Sequence, residues 1–266
     1  MSHAGQPSDQ DSVSTSGTED FADLFGVEPS GPPEGPQERL IEYRRPSSGE
    51  VLSVRMVAHH VLWGNHLWNG ARWMSDYIEG HRDEFAGKRI LELGAGAGLP
   101  SILAAKAGAR MVVCTDYPDR ELVANIECNI QSLLTAEEQT RCRAAGYLWG
   151  ASPEELLALN DGQPFDMIIM CDVIFNHSEH RRLLQSATAC MAAAGGVIWC
   201  VFSHYRPWYM DRDLALFTLA TDEFSLADRL VERHQYDSIA SALRDDRADS
   251  DVPRTVYAHQ LYRVAE

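Results

Sequence analysis

Through the middle of this 266-residue chain, short apolar runs alternate with longer stretches of helical spacing. The runs at 89–93, 111–115, 142–147, 165–171 and 196–202 read as strands, the first with the apolar, β-rich look of a buried one. Between and after them, 100–108, 119–134, 153–159, 178–193 and 208–221 read as helices. Such alternation predicts a mainly parallel, twisted α/β sheet with helices on both faces. The two ends break the rhythm. Leu40–Tyr43 and Val51–Val57 read as a hairpin turned at Pro46-Ser47-Ser48-Gly49, followed by the aromatic segment Leu62–Trp68 and a helix over Asn69–Gly80. Ser225–Arg233 and Thr255–Val264 read as two further strands, separated by a polar loop at 241–251.

Composition divides the chain. Residues 1–37 are rich in Ser, Gly, Pro, Gln and acids and are expected to be a disordered tail, leaving 38–266 as the folded domain and 38–80 as its N-terminal cap. The first 38 residues hold eight acids and no Lys or Arg. Phe21, Leu24, Phe25 and Val27 within them are either a docking motif or incidental apolar residues. A 45% hydrophobic content over this length fits one α/β domain with a sizeable core. The net charge of −16 disfavours direct nucleic-acid or anionic-membrane binding and favours a basic partner. Six cysteines occur without a Cys-x-x-Cys pair, and Cys114, Cys171 and Cys200 fall in strands, as in a reduced compartment. With no basic-then-apolar leader and no apolar run of spanning length, a cytoplasmic location is expected.

The candidate chemistry begins at Leu91-Glu92-Leu93-Gly94-Ala95-Gly96-Ala97-Gly98-Leu99-Pro100, a strand running into a glycine turn and then a helix. Gly94, Ala95 and Gly96 offer little bulk, so a ligand can approach the backbone. Pro100 suits the first turn of the helix, whose open N–H groups face outward. A dinucleotide fingerprint started at Gly94 needs glycine at position 99, which is Leu99. Asp116, about twenty residues past the turn at the end of the next strand, suits ribose hydroxyls.

The acid-x-Gly-x-Gly-x-Gly form resembles the first motif of the Rossmann-like S-adenosylmethionine (AdoMet) methyltransferases. Four further segments accompany that turn: Trp63-Gly64-Asn65-His66-Leu67-Trp68-Asn69, Asp116-Tyr117-Pro118-Asp119, Tyr147-Leu148-Trp149-Gly150 and Asp172-Val173-Ile174-Phe175-Asn176-His177-Ser178-Glu179-His180. With the turn, they are similar to the fungal nicotinamide-N-methyltransferase-like family within methyltransferase family 16, over roughly Leu40–Glu266. The resemblance implies a Rossmann-like fold with an antiparallel C-terminal strand pair and AdoMet as cofactor. It also implies methylation of a protein amine, with translation elongation factor 1-alpha as substrate at its N-terminus or a nearby lysine. A small-molecule amine such as nicotinamide or another pyridine is the alternative substrate. A non-catalytic interaction subunit is the third reading, which the intact Glu92, Gly94, Gly96 and Asp116 disfavour.

Carried over by position, the implied cofactor contacts are Trp63, Gly94, Ala95, Gly96, Asp116, Trp149 and Cys171, the last often Ser in relatives. Trp63 would fold over the methionine end as a lid or staple the N-terminal segment to the sheet. Trp149 would flank the adenine or pack in the core. The implied catalytic residues are Asp172, Phe175 and Asn176, at a strand end where open α/β sheets bind ligands. Backbone carbonyls around Asp172, with or without its carboxylate, would accept from the incoming amine, and Phe175 would wall the transfer channel. Asn176 and His177 would orient the nucleophile or cap a helix starting near Ser178, which Ser178-Glu179 suits. A protonated amine cannot attack, yet the sequence compels no general base.

Overall fold

The computed structural model describes residues 39–57, 66–236 and 254–264. The expected hairpin forms as antiparallel β1 (Arg39–Arg44) and β2 (Val51–Met56), with Arg39 opposite Met56 and Arg44 opposite Val51. The first described helix, α1 (Asn69–Gly80), buries Trp73, Met74 and Ile78 and is followed by the short α2 (Arg82–Phe85). The alternating core then runs β3 (Arg89–Leu93), α3 (Leu99–Lys106), β4 (Met111–Asp116), α4 (Arg120–Leu133), α5 (Ala136–Gln139), β5 (Cys142–Gly146), α6 (Glu154–Leu159), β6 (Met167–Cys171), α7 (His180–Cys190), β7 (Val197–Phe202) and α8 (Met210–Phe224). β8 (Leu226–Gln235) and β9 (Thr255–Arg263) close it.

Seven strands make one sheet in the order β5-β4-β3-β6-β7-β9-β8. β3 to β7 are mutually parallel, and β9 inserts antiparallel between β7 and β8. The expected antiparallel pair is therefore present, but only β9 runs against the sheet. After β3 the chain steps outward to β4 and β5, then returns to β6 on the other side of β3. That reversal opens a crevice at the carboxyl ends of β3 and β6, the usual ligand position in such sheets.

Each sheet face carries its own core. Trp73, Met74, Ile102, Leu103 and Ile126, from α1, α3 and α4, cover one face with the hairpin's Val54 and Met56. Leu156, Leu183, Leu184 and Leu216, from α6, α7 and α8, cover the other. The hairpin is tied to the turn region through α4. Asn129 Nδ2 donates to Arg55 O at 2.8 Å and to Ala97 O at 3.0 Å, while its Oδ1 accepts from Arg55 N at 2.8 Å.

The structure corrects some boundaries. The helix expected over 119–134 forms as α4, capped by Asp119 through Glu121 N and Leu122 N, and a capping box at Thr135 and Glu138 starts α5, which was not expected. Ser178 does not cap α7. A 3-10 turn over His177–Glu179 precedes that helix, and the Ser178 hydroxyl donates to Asn176 Oδ1 at 3.1 Å instead. Similarly, the stretch starting at 208 begins as a 3-10 turn, Pro207–Tyr209, before α8. Phe165 lies ahead of β6 and makes an isolated bridge to Met191. The tail motif at Phe21–Val27 and the loop 241–251 lie outside the described residues. All six cysteines are free thiols, with Cys114, Cys171 and Cys200 buried in strands as expected. Among the described residues, no helix is long and apolar enough to cross a membrane.

Candidate active site

The glycine turn sits at the carboxyl end of β3, directly above the crevice. Gly94 N and Ala95 N both donate to Thr115 O, at 3.0 and 2.9 Å, pinning the turn to β4. Both Gly94 and Gly96 have positive φ, +74° and +57°, which a glycine adopts without Cβ strain. Their surroundings differ. A Cβ at Gly94 would lie 2.6 Å from Val173 Cγ1 and 3.2 Å from Trp149 Cζ2, whereas at Gly96 nothing lies within 4 Å. Gly94 thus lets Val173 and Trp149 close in beneath the turn, and Gly96 leaves its outer side open to a ligand.

Three strand-end carboxylates organise this backbone. Asp116, ending β4, accepts from Gly96 N at 2.6 Å and from Tyr117 N at 2.7 Å, so it is held at the rim by the turn itself. Glu92 in β3 is buried, and its Oε2 accepts from Ser101 N at 3.1 Å and from Ser101 Oγ at 2.5 Å. It caps α3, whose own N-cap position, Gly98, has no side chain to do so. Burial pushes its pKa up to about 7 against the opposing hydrogen bonds from Ser101.

Asp172 follows β6 at φ +52°, a left-handed conformation uncommon for a non-glycine residue. Its Oδ2 accepts from Gly70 N at 2.6 Å and its Oδ1 from Ser203 N at 3.0 Å. The Ala71 N–H and the Tyr205 hydroxyl also bond this carboxylate. It therefore caps α1 and ties β7 to β6, and burial raises its pKa to about 7. The carboxylate is committed to the protein's own donors rather than left open for an amine.

The other sequence-derived residues fall around the same crevice. Cys171 ends β6, buried, and burial raises its thiol well above the ordinary cysteine range. Trp149 is half-buried beside Gly94 and packs against the core of the α6–α8 face. Phe175 and Asn176 are half-buried on the turn after Asp172, with Phe175 O accepting from Arg206 at 3.3 Å. Trp63 lies outside the described residues. Trp68 packs edge-to-face on Tyr205, with ring centroids 4.8 Å apart. Sequence reasoning missed Ser203, His204, Tyr205 and Arg206 after β7, and Asp213 on α8. The only signal was position, and only for the first four, which directly follow the carboxyl end of the strand beside β6.

These features fit AdoMet. Gly96 offers open backbone, Asp116 a fixed carboxylate one strand away for ribose hydroxyls, and Trp149 an aromatic wall beside the turn. A family model described as lysine methyltransferase matches residues 51–212. The chain is 34% identical over 248 residues to the protein N-terminal and lysine N-methyltransferase efm7 of Schizosaccharomyces pombe, covering 91% of this chain and 93% of that one. It is 32% identical over 288 residues to the same-named protein of Cryptococcus neoformans, covering 97% and 95%. Among solved structures, one described as a proposed methyltransferase complexed with SAH superposes with a TM-score of 0.55 at 14% identity, over 86% of this chain and 57% of that one. A proposed RNA methyltransferase from Pyrococcus horikoshii gives 0.51 at 17% identity, over 77% and 89%. At such identities the two structures bear on the fold alone, which is that of Rossmann-like methyltransferases. By the family match and the extent of these relatives, the chain belongs to the lysine methyltransferase family and is an AdoMet-dependent methyltransferase.

Proposed function

We propose that this chain methylates the N-terminal amine, a nearby lysine, or both, of translation elongation factor 1-alpha in the cytoplasm. The observation that carries the reading is its similarity, over more than nine-tenths of both chains, to a protein named for N-terminal and lysine methylation. A net charge of −16 supports a basic protein substrate through complementary charge. The segment Asn176-His177-Ser178-Glu179-His180, quoted above for its family likeness, supports the specific target.

In this reading Trp63, Gly94, Ala95, Gly96, Asp116, Trp149 and Cys171 hold the cofactor. AdoMet supplies a methyl group on a cationic sulfur. The chain's contribution is mainly alignment of nitrogen, methyl and sulfur, with water excluded. Phe175 walls the path of the amine and Asn176 orients it. Asp172 acts through the strand end that it ties down, leaving the carbonyl oxygens there to accept from the amine. Elongation factor 1-alpha would be incubated with the purified chain and AdoMet and examined by intact and peptide mass spectrometry. Nicotinamide would run in parallel, with Asp116→Ala as control. Mass gains of about 14 Da per CH₂ on the N-terminal or a lysine peptide, absent in the variant, are expected. A methylated pyridine with no protein gain would replace this reading.

A further inference from the structure

Beyond the carboxyl ends of β6 and β7, two histidines converge on one carboxylate of α8. His177 Nε2 lies 2.7 Å from Asp213 Oδ1, and His204 Nδ1 lies 2.7 Å from Asp213 Oδ2. Asp213 is buried on α8. Burial acts to raise its pKa, but the hydrogen bonds from the two histidines outweigh this and hold it below the usual carboxylate range. An ionised carboxylate only accepts, so both rings must donate to it. Neutral His177 then carries its proton on Nε2 and presents a lone pair at Nδ1. Among the described residues no hydrogen bond occupies that Nδ1.

The two rings are not equivalent. The His204 side chain is 3% exposed, whereas that of His177 is 17% exposed, so His177 is the open end. It also sits on the turn that carries Phe175 and Asn176, after the carboxyl end of β6. The other groups facing it are fixed. His180, from α7, meets its ring edge-on at 5.6 Å and is itself held by Ile174 O at 2.6 Å. Tyr209 lies 5.9 Å away, with the Arg206 and Arg212 guanidiniums over its ring at 4.9 and 4.7 Å. Glu179, on the same turn, pairs with Arg182 at 3.1 Å.

We propose that His177 accepts the proton that the substrate's ammonium must lose before methyl transfer, with Asp213 and His204 as positioning residues. A buried carboxylate that sets the tautomer of a general-base imidazole is a recurrent catalytic arrangement. The His177 Nδ1 lone pair takes one proton from R–NH₃⁺. The freed nitrogen pair forms the new N–C bond as the S–C bond breaks, and that bond's electrons remain on sulfur. R–NH₂CH₃⁺ leaves, and His177 passes its proton to water. The assignment rests on the amine-methyltransferase reading and supplies the base that the sequence alone did not compel.

Single-turnover methylation of elongation factor 1-alpha would be followed from neutral pH upward for the parent, His177→Ala, His177→Gln and Asp213→Asn. AdoMet affinity would be measured on each to show that the fold persists. We expect His177→Ala to be slower by about 100-fold near neutral pH, with AdoMet affinity unchanged. The deficit should shrink as pH approaches the amine's own pKa, about 10.4 for lysine or about 8 for an N-terminus. Asp213→Asn should fall between. A rate within threefold of the parent, or a loss of equal size at every pH, would overturn the proposal. Nitrogen-15 NMR of the full chain gives a readout independent of substrate. The Nε2–H tautomer is expected at His177, and Nδ1–H would overturn the assignment even if elongation factor 1-alpha proves not to be the substrate.

Discussion

Gly70 N donates to Asp172 Oδ2 at 2.6 Å, closing a hydrogen bond between residues 102 positions apart. Trp68, at the N-cap of α1, has no side-chain bond to the helix, so the cap comes from the far end of β6. Glu92 does the same for α3 through Ser101. Both helix starts that border the crevice are thus held by buried strand-end acids, and the crevice is shaped before any ligand arrives.

Removing the first of these acids tests the arrangement. Asp172→Ala would leave the Gly70, Ala71 and Ser203 N–H groups and the Tyr205 hydroxyl without their acceptor in a buried place. We expect a loss of about 2–3 kcal/mol in urea unfolding, the cost of buried donors left unpaired. A variant as stable as the parent would mean that α1 does not depend on this cap.

The same acids set a pH dependence. Glu92 and Asp172 both have folded pKa values near 7, raised chiefly by burial, against about 4 in an unfolded chain. Between those values the folded state binds more protons than the unfolded one, so these groups make unfolding easier as pH rises through the window. Glu92→Gln removes one titrating group. Its unfolding free energy should therefore depend less steeply on pH between about 4 and 7. Urea melts across that range would show the change, and an unaltered slope would remove Glu92 from the account.

The glycine turn separates packing from binding. Gly94→Ala meets Val173 and Trp149 at a positive φ, so both stability and AdoMet affinity should fall. Gly96→Ala meets nothing within 4 Å and should cost little beyond its own φ strain, while its methyl intrudes where the cofactor approaches. Thermal unfolding with calorimetric AdoMet titration distinguishes the two. Equal effects of both variants on stability would contradict the difference in their surroundings.

Trp149 lies against Gly94 with its indole part-exposed. If it flanks the adenine, Trp149→Ala should weaken AdoMet binding by about 1 kcal/mol, roughly fivefold, and Trp149→Phe should recover most of it. Unchanged affinity in the alanine variant would leave the indole a packing residue only.

The sequence by itself determined the features that repeat locally. Apolar runs long enough for strands, helical spacing between them, and Gly94 and Gly96 before Pro100 are each legible because neighbours along the chain set them. Asp116 belongs here too, since its distance from the turn follows from one strand–helix–strand unit. Only the tertiary structure decided where the acids point. The resemblance left open whether the Asp172 carboxylate meets an incoming amine, and folding turns both it and Glu92 toward helix N-termini that lack caps of their own. It also decided that His177 and His204 share the buried carboxylate of Asp213. They come from the turn after β6, the end of β7 and helix α8, and no local pattern records that parallel strands bring those three ends together.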